Sequence, residues 1–397
     1  MPHAMPLMAT LVAALSAALL LGVLARKLNL PPIAGYLLAG IAIGPHTPGF
    51  AGDMELAAEL AEIGVVLLMF GVGLHFSPRE LADARGVALP GAIGQMLVAT
   101  VLGWGMARLL GWGDGAGLIF GLSLSVASTV VLLRALQERG EDRSPVGHIA
   151  VGWLVVEDLA MVLALVLAPI AAGLLDGAAP AGWGLLNSVG ITLAKVAAFV
   201  ALMLIVGTRV LPWCLSVVGG LRSRELFSLA ALVAAIGVAF AAYAWFEVSL
   251  ALGAFLSGMV LGQSALSQKA AEQTLPLRDA FAVLFFVSVG MLFEPAILWT
   301  RPLEVAGTLA IVVGGKAAAA WGIARALGQD NRAALTIAAA LAQIGEFSFI
   351  LAGLGVSERL LPAAGRDLVL AAALLSIALN PLLFRLVDRL ARPPEGA

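Results

Sequence analysis

About thirteen apolar runs follow one another along this chain, most of them close to the twenty residues that cross a hydrocarbon core of roughly 30 Å. A backbone inside lipid has to satisfy its own hydrogen bonds, so runs of this kind fold as helices. They centre near residues 15, 39, 66, 98, 124, 160, 198, 233, 257, 285, 314, 342 and 377. Turn-rich or charged stretches at 44–53, 137–145, 175–184 and 219–225 separate some of them. The expectation is an all-α polytopic membrane protein whose single transport domain fills residues 1–397. Composition leaves no room for a large soluble domain, with 61% hydrophobic and 12% charged residues. A formal net charge of -2 offers no nucleic-acid footprint, and the one cysteine, Cys214, excludes an intramolecular disulfide or a cysteine metal cluster.

The first run carries no Lys or Arg before it, whereas Arg26 and Lys27 follow it, the pattern of a retained helix and not of a cleaved leader. Loops on alternate sides hold roughly 17 against about 4 Lys or Arg. That bias places the N-terminus outside and the C-terminus in the cytoplasm, with a bacterial inner membrane as the expected location.

The chain also repeats itself. Gly35, Leu38, Gly40 and Gly44 match Gly253, Leu256, Gly258 and Gly262 at an offset of 218. Val66, Leu67, Val72, Gly73 and Phe76 match Val283, Leu284, Val289, Gly290 and Phe293 at 217. The copies, approximately 29–175 and 246–392, lie an odd number of spans apart and so cross in opposite senses, as in the inverted repeats of secondary transporters. Residues approximately 5–25 and 184–212 are left as linker or dimerisation helices. Carried forward, the offset sets 125–129 onto 342–346, where SLSVASTV and AAALAQIGEFSFI put polar or glycine residues inside apolar runs. Both are expected to be discontinuous helices that cross near the midplane, with Ser125, Gln343 and Glu346 supporting the crossing.

Glu157 and Asp158 stand in the next span, within the apolar stretch 149–170. A charge at bilayer depth costs roughly 2.5–3.5 kcal/mol on the lenient insertion scale, so retained acids point to an ion or proton pathway. Lys316 is also mid-span, and Glu157 is its expected partner, either as a structural ion pair or as one that breaks when a cation arrives. Ser128 and Thr129 offer oxygen atoms to a hard cation, or else serve as helix-packing hydroxyls. Lys195 is read as snorkelling or as stabilising a dimer, and His148 as a solvated residue at a helix end.

The motifs LPPIAGYLLAGIAIGP (30–45), LMFGVGLHFSPREL (68–81), SVASTVVLLRAL (125–136), VEDLAMV (156–162), LFFVSVGM (284–291) and AQIGEFSFIL (342–351) together resemble the second cation/proton antiporter family, in its Kef-type potassium-efflux branch. The resemblance covers nearly the whole chain. It implies a monovalent cation:proton antiporter of the sodium/proton-antiporter-like fold, dimeric, with a dimerisation part and a mobile core part. It implies that Asp158 binds the proton and the alkali cation in turn, with K+ or Na+ and H+ as cargo and no cofactor, in the service of pH homeostasis. Glu157 departs from the Gln, Asn or Asp that the family carries at that position and leaves the exchange electroneutral or electrogenic. Many members continue into a cytoplasmic nucleotide-binding regulatory domain, whereas this sequence ends at Pro393-Pro394-Glu395-Gly396-Ala397, so the chain is expected to be a membrane domain without it.

The chemistry stands without the resemblance. A carboxylate withdrawn from water holds either a proton or a cation but not both, and if only the loaded form crosses, the two fluxes are obligatorily opposed. An organic-anion or bile-acid-type carrier on the same inverted-repeat scaffold is the alternative, though two adjacent acids suit it poorly. A gated potassium-efflux channel is a further one, without a recognisable carbonyl filter. No HExxH or protease signature suggests an enzyme.

Overall fold

The computed structural model describes residues 6–28, 30–48, 52–75, 86–141, 144–175 and 183–390. Phe76, the later part of the motif at 68–81, parts of the breaks at 44–53, 137–145 and 175–184, and the terminal Pro393 to Ala397 lie outside them. All regular structure in the described residues is helical. Each centre read from the sequence falls on a helix or on a break within a helix pair.

Length separates these helices. Among the described residues, nine are long and apolar enough to cross a membrane alone, and the bent pair Asn331–Leu341 and Glu346–Ser357, at 43°, makes a tenth. Pro32–Ile43 and Leu250–Gly262 are apolar but only 12 and 13 residues long. At 1.5 Å per residue they reach about 18–20 Å, well short of the core thickness. The first is confined by Pro31 before it and Pro32 at its first position, and by Gly44 and Pro45 after it. Side-chain caps fix other starts: Asp330 accepts from Ala333 N at 2.8 Å and Ser249 from Leu252 N at 3.3 Å. Three π-helical turns, Met203–Gly207, Val233–Gly237 and Ile311–Lys316, interrupt long helices. Apolar periodicity does not register such turns.

Contacts divide the chain into two compact units. The first comprises Met1–Leu21, Tyr36–Pro78 and Pro180–Leu292, and the second Gly22–Gly35, Arg79–Ala179 and Phe293–Ala397. In the first unit, Met54–His75 packs along both Leu250–Gly262 and Ser267–Met291. Glycines bring these backbones together. A Cβ on Gly290 would meet the Leu37 carbonyl and Gly40 Cα, and one on Gly73 would meet the Phe255 carbonyl and Gly258. A Cβ on Gly40 would meet the Val287 carbonyl and Met291 N, and one on Gly258 the Phe70 carbonyl and Leu74 N. Under the offsets of 218 and 217, exchanging the two copies turns each of these contact sets into the other.

Lys195, also in the first unit, is ion-paired with Glu247 at 2.6 Å. Glu247 ends the helix Val238–Phe246 in a left-handed conformation, φ 54°. The second unit is centred on a core around the fully buried Trp153, with Ala92, Leu132, Leu136, Ile337 and Leu341 among its members. Trp153 is seated against Gly91, where a Cβ would strike its ring.

Candidate functional site

The second unit contains both broken helices. Asp114–Ser125 and Thr129–Glu138 are separated by extended backbone at Val126 and Ser128. Asn331–Leu341 and Glu346–Ser357 are separated by residues 342–345, with Gly345 extended. Thr129 and Glu346, each the first residue of its second half-helix, correspond under the offset of 217. The two breaks lie against each other: Gly345 N donates to the Val126 carbonyl at 3.2 Å, and a Cβ on Gly345 would lie 2.5 Å from the Ala127 carbonyl oxygen. Only glycine permits that approach.

Breaking a helix frees backbone groups that lipid cannot hydrate, and each has to find a partner. Gln343 bonds several backbone groups at the crossing. Its Oε1 accepts from Ser128 N at 2.8 Å, and its Nε2 donates to the Ser128 carbonyl at 3.2 Å and to the Ala340 carbonyl at 3.3 Å. Glu157 Oε2 accepts from Ala127 N at 2.8 Å. Gln95 Nε2 donates to the Ser125 carbonyl at 2.9 Å, while Trp153 Nε1 donates to Gln95 Oε1 at 3.3 Å. Asn380 Nδ2 donates to the Ala339 carbonyl at 2.8 Å. The Ser125 hydroxyl turns back to the Leu122 carbonyl of its own helix at 2.7 Å, so Ser125 takes part in the crossing through its main chain.

Lys316, at the end of a π-helical turn, is wholly buried. The expected ion pair with Glu157 is not its direct contact: Nζ donates to the Gln343 carbonyl at 3.1 Å. The cause is the crossing itself, which leaves that carbonyl in need of a donor and the Ala127 amide in need of an acceptor, so the two charged side chains each serve a backbone group. They still act on one another electrostatically.

Asp158 is 6% exposed. Its Oδ2 accepts from Thr129 Oγ1 at 3.1 Å, whereas Oδ1, like Glu157 Oε1, is buried without a hydrogen-bond partner. The Ser128 hydroxyl donates to Glu346 Oε2 at 3.4 Å and accepts from Val131 N at 3.4 Å. The site thus gathers Glu157, Asp158, Ser128, Thr129, Lys316, Gln343 and Glu346 around one crossing. Gln95, Trp153 and Asn380 were not anticipated, although Gln95 and Asn380 are lone carboxamides in apolar runs and so carried a signal. His148, by contrast, is exposed at its helix start, with Nδ1 2.9 Å from the Ser144 carbonyl.

Chemically, the arrangement is a buried carboxylate with one oxygen held by a hydroxyl and one uncommitted, beside half-helix ends several of whose backbone groups are held by side chains. Its uncommitted oxygen has the chemistry to accept a proton or to ligate a cation.

Known proteins share this sequence and fold. The family model described as "Sodium/hydrogen exchanger, transmembrane" matches residues 12–387. The putative cation/proton antiporter YbaL of Escherichia coli (strain K12) is 57% identical over 389 residues, covering 98% of this chain and 70% of that protein. An uncharacterized protein in the phaC 3' region of Methylorubrum extorquens is 56% identical over 275 residues, 67% of this chain and all of that one. The sodium proton antiporter MjNhaP1 of Methanocaldococcus jannaschii at pH 8 shares the fold, with a TM-score of 0.71 at 17% identity over 96% of this chain and 100% of that chain.

Proposed function

This chain belongs to the sodium/hydrogen exchanger family, and from that premise we propose that it exchanges a monovalent alkali cation, K+ or Na+, for protons, with Asp158 carrying each in turn. The observation that carries the reading is the environment of Asp158: a buried carboxylate at a helix crossing, one oxygen held by Thr129 and the other without a donor. The motifs taken together resemble the Kef-type branch within the family, with K+ or Na+ as the cargo.

The mechanism follows from charge. With Asp158 ionised and empty, a net charge would have to move through a low-dielectric region, at a cost that a bound proton or cation removes. The loaded unit alone changes access, so a cation travelling one way obliges a proton to travel the other. Thr129 orients the carboxylate, and Ser128, the preceding residue, offers a second hydroxyl oxygen to the cation. Lys316 offsets the negative charge of Glu157 across the crossing, so that Asp158 is left as the acid whose charge changes. The reciprocal glycine contacts support an inverted repeat, whose two copies provide the two access states. A homodimer in the bacterial inner membrane with a cytoplasmic C-terminus is part of the same reading. Its dimerisation helices would include Pro6–Lys27, which exposes Leu19 and Leu20.

The test is reconstitution in liposomes with an internal pH-sensitive dye, adding potassium, sodium or lithium to wild type and Asp158→Asn. The expected result is cation-driven proton movement in wild type that is lost in Asp158→Asn, with the lowest half-saturating concentration naming the cargo. Wild-type liposomes that move no protons on cation addition would overturn the exchange reading.

A further inference from the structure

We propose that Glu346 is a second carboxylate of the cation site, facing the same bound ion as Asp158 and setting how tightly that ion is held. This rests on the reading of Asp158 as the exchanging acid. Glu346 follows a helix break and would on position alone serve as an N-terminal support for Glu346–Ser357.

Four observations place it elsewhere. Consecutive residues tie the two acids, Thr129 Oγ1 to Asp158 at 3.1 Å and Ser128 Oγ to Glu346 at 3.4 Å, so both carboxylates converge on one edge of the first break. Glu346 is 4% exposed, so its carboxylate lies inside the protein beside the crossing. Glu157 is the acid diverted from the site, because its Oε2 is engaged by the Ala127 amide. Asp158 meanwhile keeps a buried oxygen with no donor.

Hard cations take oxygen ligands, and their affinity rises with the charge count of the ligand set. Two carboxylates and two hydroxyls form such a set, with the Lys316 ammonium held off at the Gln343 carbonyl, three residues before Glu346. The inference is a two-acid site for a monovalent cation.

The experiment measures cation-driven proton flux in liposomes for the full chain, as wild type, Glu346→Gln, Glu346→Ala and Glu346→Asp, with potassium, sodium and lithium titrated separately. Both neutral variants are expected to raise the half-saturating concentration of the transported ion at least about tenfold, equivalent to about 1.4 kcal/mol. Glu346→Asp should restore most of the affinity. An unchanged half-saturating concentration with a lower maximal rate would overturn the proposal and leave Glu346 as a support of the crossing. If a neutral variant is silent in flux, cation-dependent thermal stabilisation of the purified protein decides: a shift to about tenfold higher cation supports the proposal, and a wild-type concentration dependence overturns it. A wild type without cation-driven flux would overturn the exchange reading first and this one with it. That outcome appears in a different arm from a failure confined to Glu346.

Discussion

Ser128 and Gln343 exchange two hydrogen bonds, the Ser128 amide to Gln343 Oε1 at 2.8 Å and Gln343 Nε2 to the Ser128 carbonyl at 3.2 Å, so one side chain satisfies both backbone groups of a residue in the opposite broken helix. Truncation would leave the buried Ser128 amide without its acceptor, at a cost of about 1–3 kcal/mol, while the Ser128 carbonyl keeps its bond from Leu132 N at 3.1 Å. Gln343→Ala is therefore expected to lower the melting midpoint of the purified protein and to reduce exchange at least about tenfold. Gln343→Glu keeps an acceptor for the Ser128 amide and loses the donor, so it should fall between the two. Thermal melts and liposome flux on the three proteins check this order, and equal stability of Gln343→Ala and wild type would show that the pair does not hold the crossing.

Gly345 and Gly353 lie in or beside the same half-helix and differ in what surrounds them. A Cβ at Gly345 would be 2.5 Å from the Ala127 carbonyl oxygen, whereas one at Gly353 meets nothing within 4 Å. Overpacking of this kind costs typically about 1–3 kcal/mol. Gly345→Ala should push the two breaks apart and lose most exchange activity. Gly353→Ala should be neutral or slightly stabilising, because alanine favours the helix by roughly 0.5–1 kcal/mol. Comparable flux in the two variants would argue against tight contact at the crossing.

The crossing was legible in the sequence because polar residues and glycine inside an apolar run have few other uses. The expected breaks at 125–129 and 342–346 fall on 126–128 and 342–345. Which side chain serves which freed backbone group was not legible, since that depends on how the two breaks are set against each other. Lys316 and Glu157 therefore looked like each other's direct partners from their signs alone, and the structure gives each a peptide group instead. Two short helices were hidden for a different reason. A window of about 19 residues averages over the prolines and glycines that confine Pro32–Ile43 and over Glu247 before Leu250–Gly262. The π-helical turn that ends at Lys316 leaves apolar composition unchanged and so had no signature.

The reciprocal glycine contacts make a paired prediction. Gly40 and Gly258 are equivalent under the repeat, and in each case a Cβ would strike a backbone carbonyl, that of Val287 or that of Phe70. Neither neighbour is the flexible end of a side chain, so neither can yield cheaply. Gly40→Ala and Gly258→Ala should destabilise the protein by similar amounts, of the order of 1–3 kcal/mol, and Gly237→Ala, which meets only a Val233 methyl at 3.7 Å, should not. Melting curves of the three variants check this, and a large effect at only one of Gly40 and Gly258 would break the equivalence.

Lys316 and Glu157 touch different backbone groups yet act on each other across the crossing, and a double-mutant cycle separates the two contributions. Lys316→Met leaves the Gln343 carbonyl without its donor and Glu157 without a nearby positive charge; removing one member of a buried charge pair costs about 3–5 kcal/mol. Glu157→Gln keeps an acceptor for the Ala127 amide and removes the charge that Lys316 offsets, so its cost should be smaller. If electrostatics couples the two, the double variant should be more stable than the sum of the single effects predicts by about 0.5–3 kcal/mol. Additivity within experimental error would mean that each side chain acts only as a cap for its own peptide group. The same variants bear on stoichiometry: Glu157→Gln should leave exchange running with a changed charge per turnover if Glu157 carries a proton, and with an unchanged one if it only balances Lys316. Flux measured with the membrane potential clamped and then free distinguishes these outcomes.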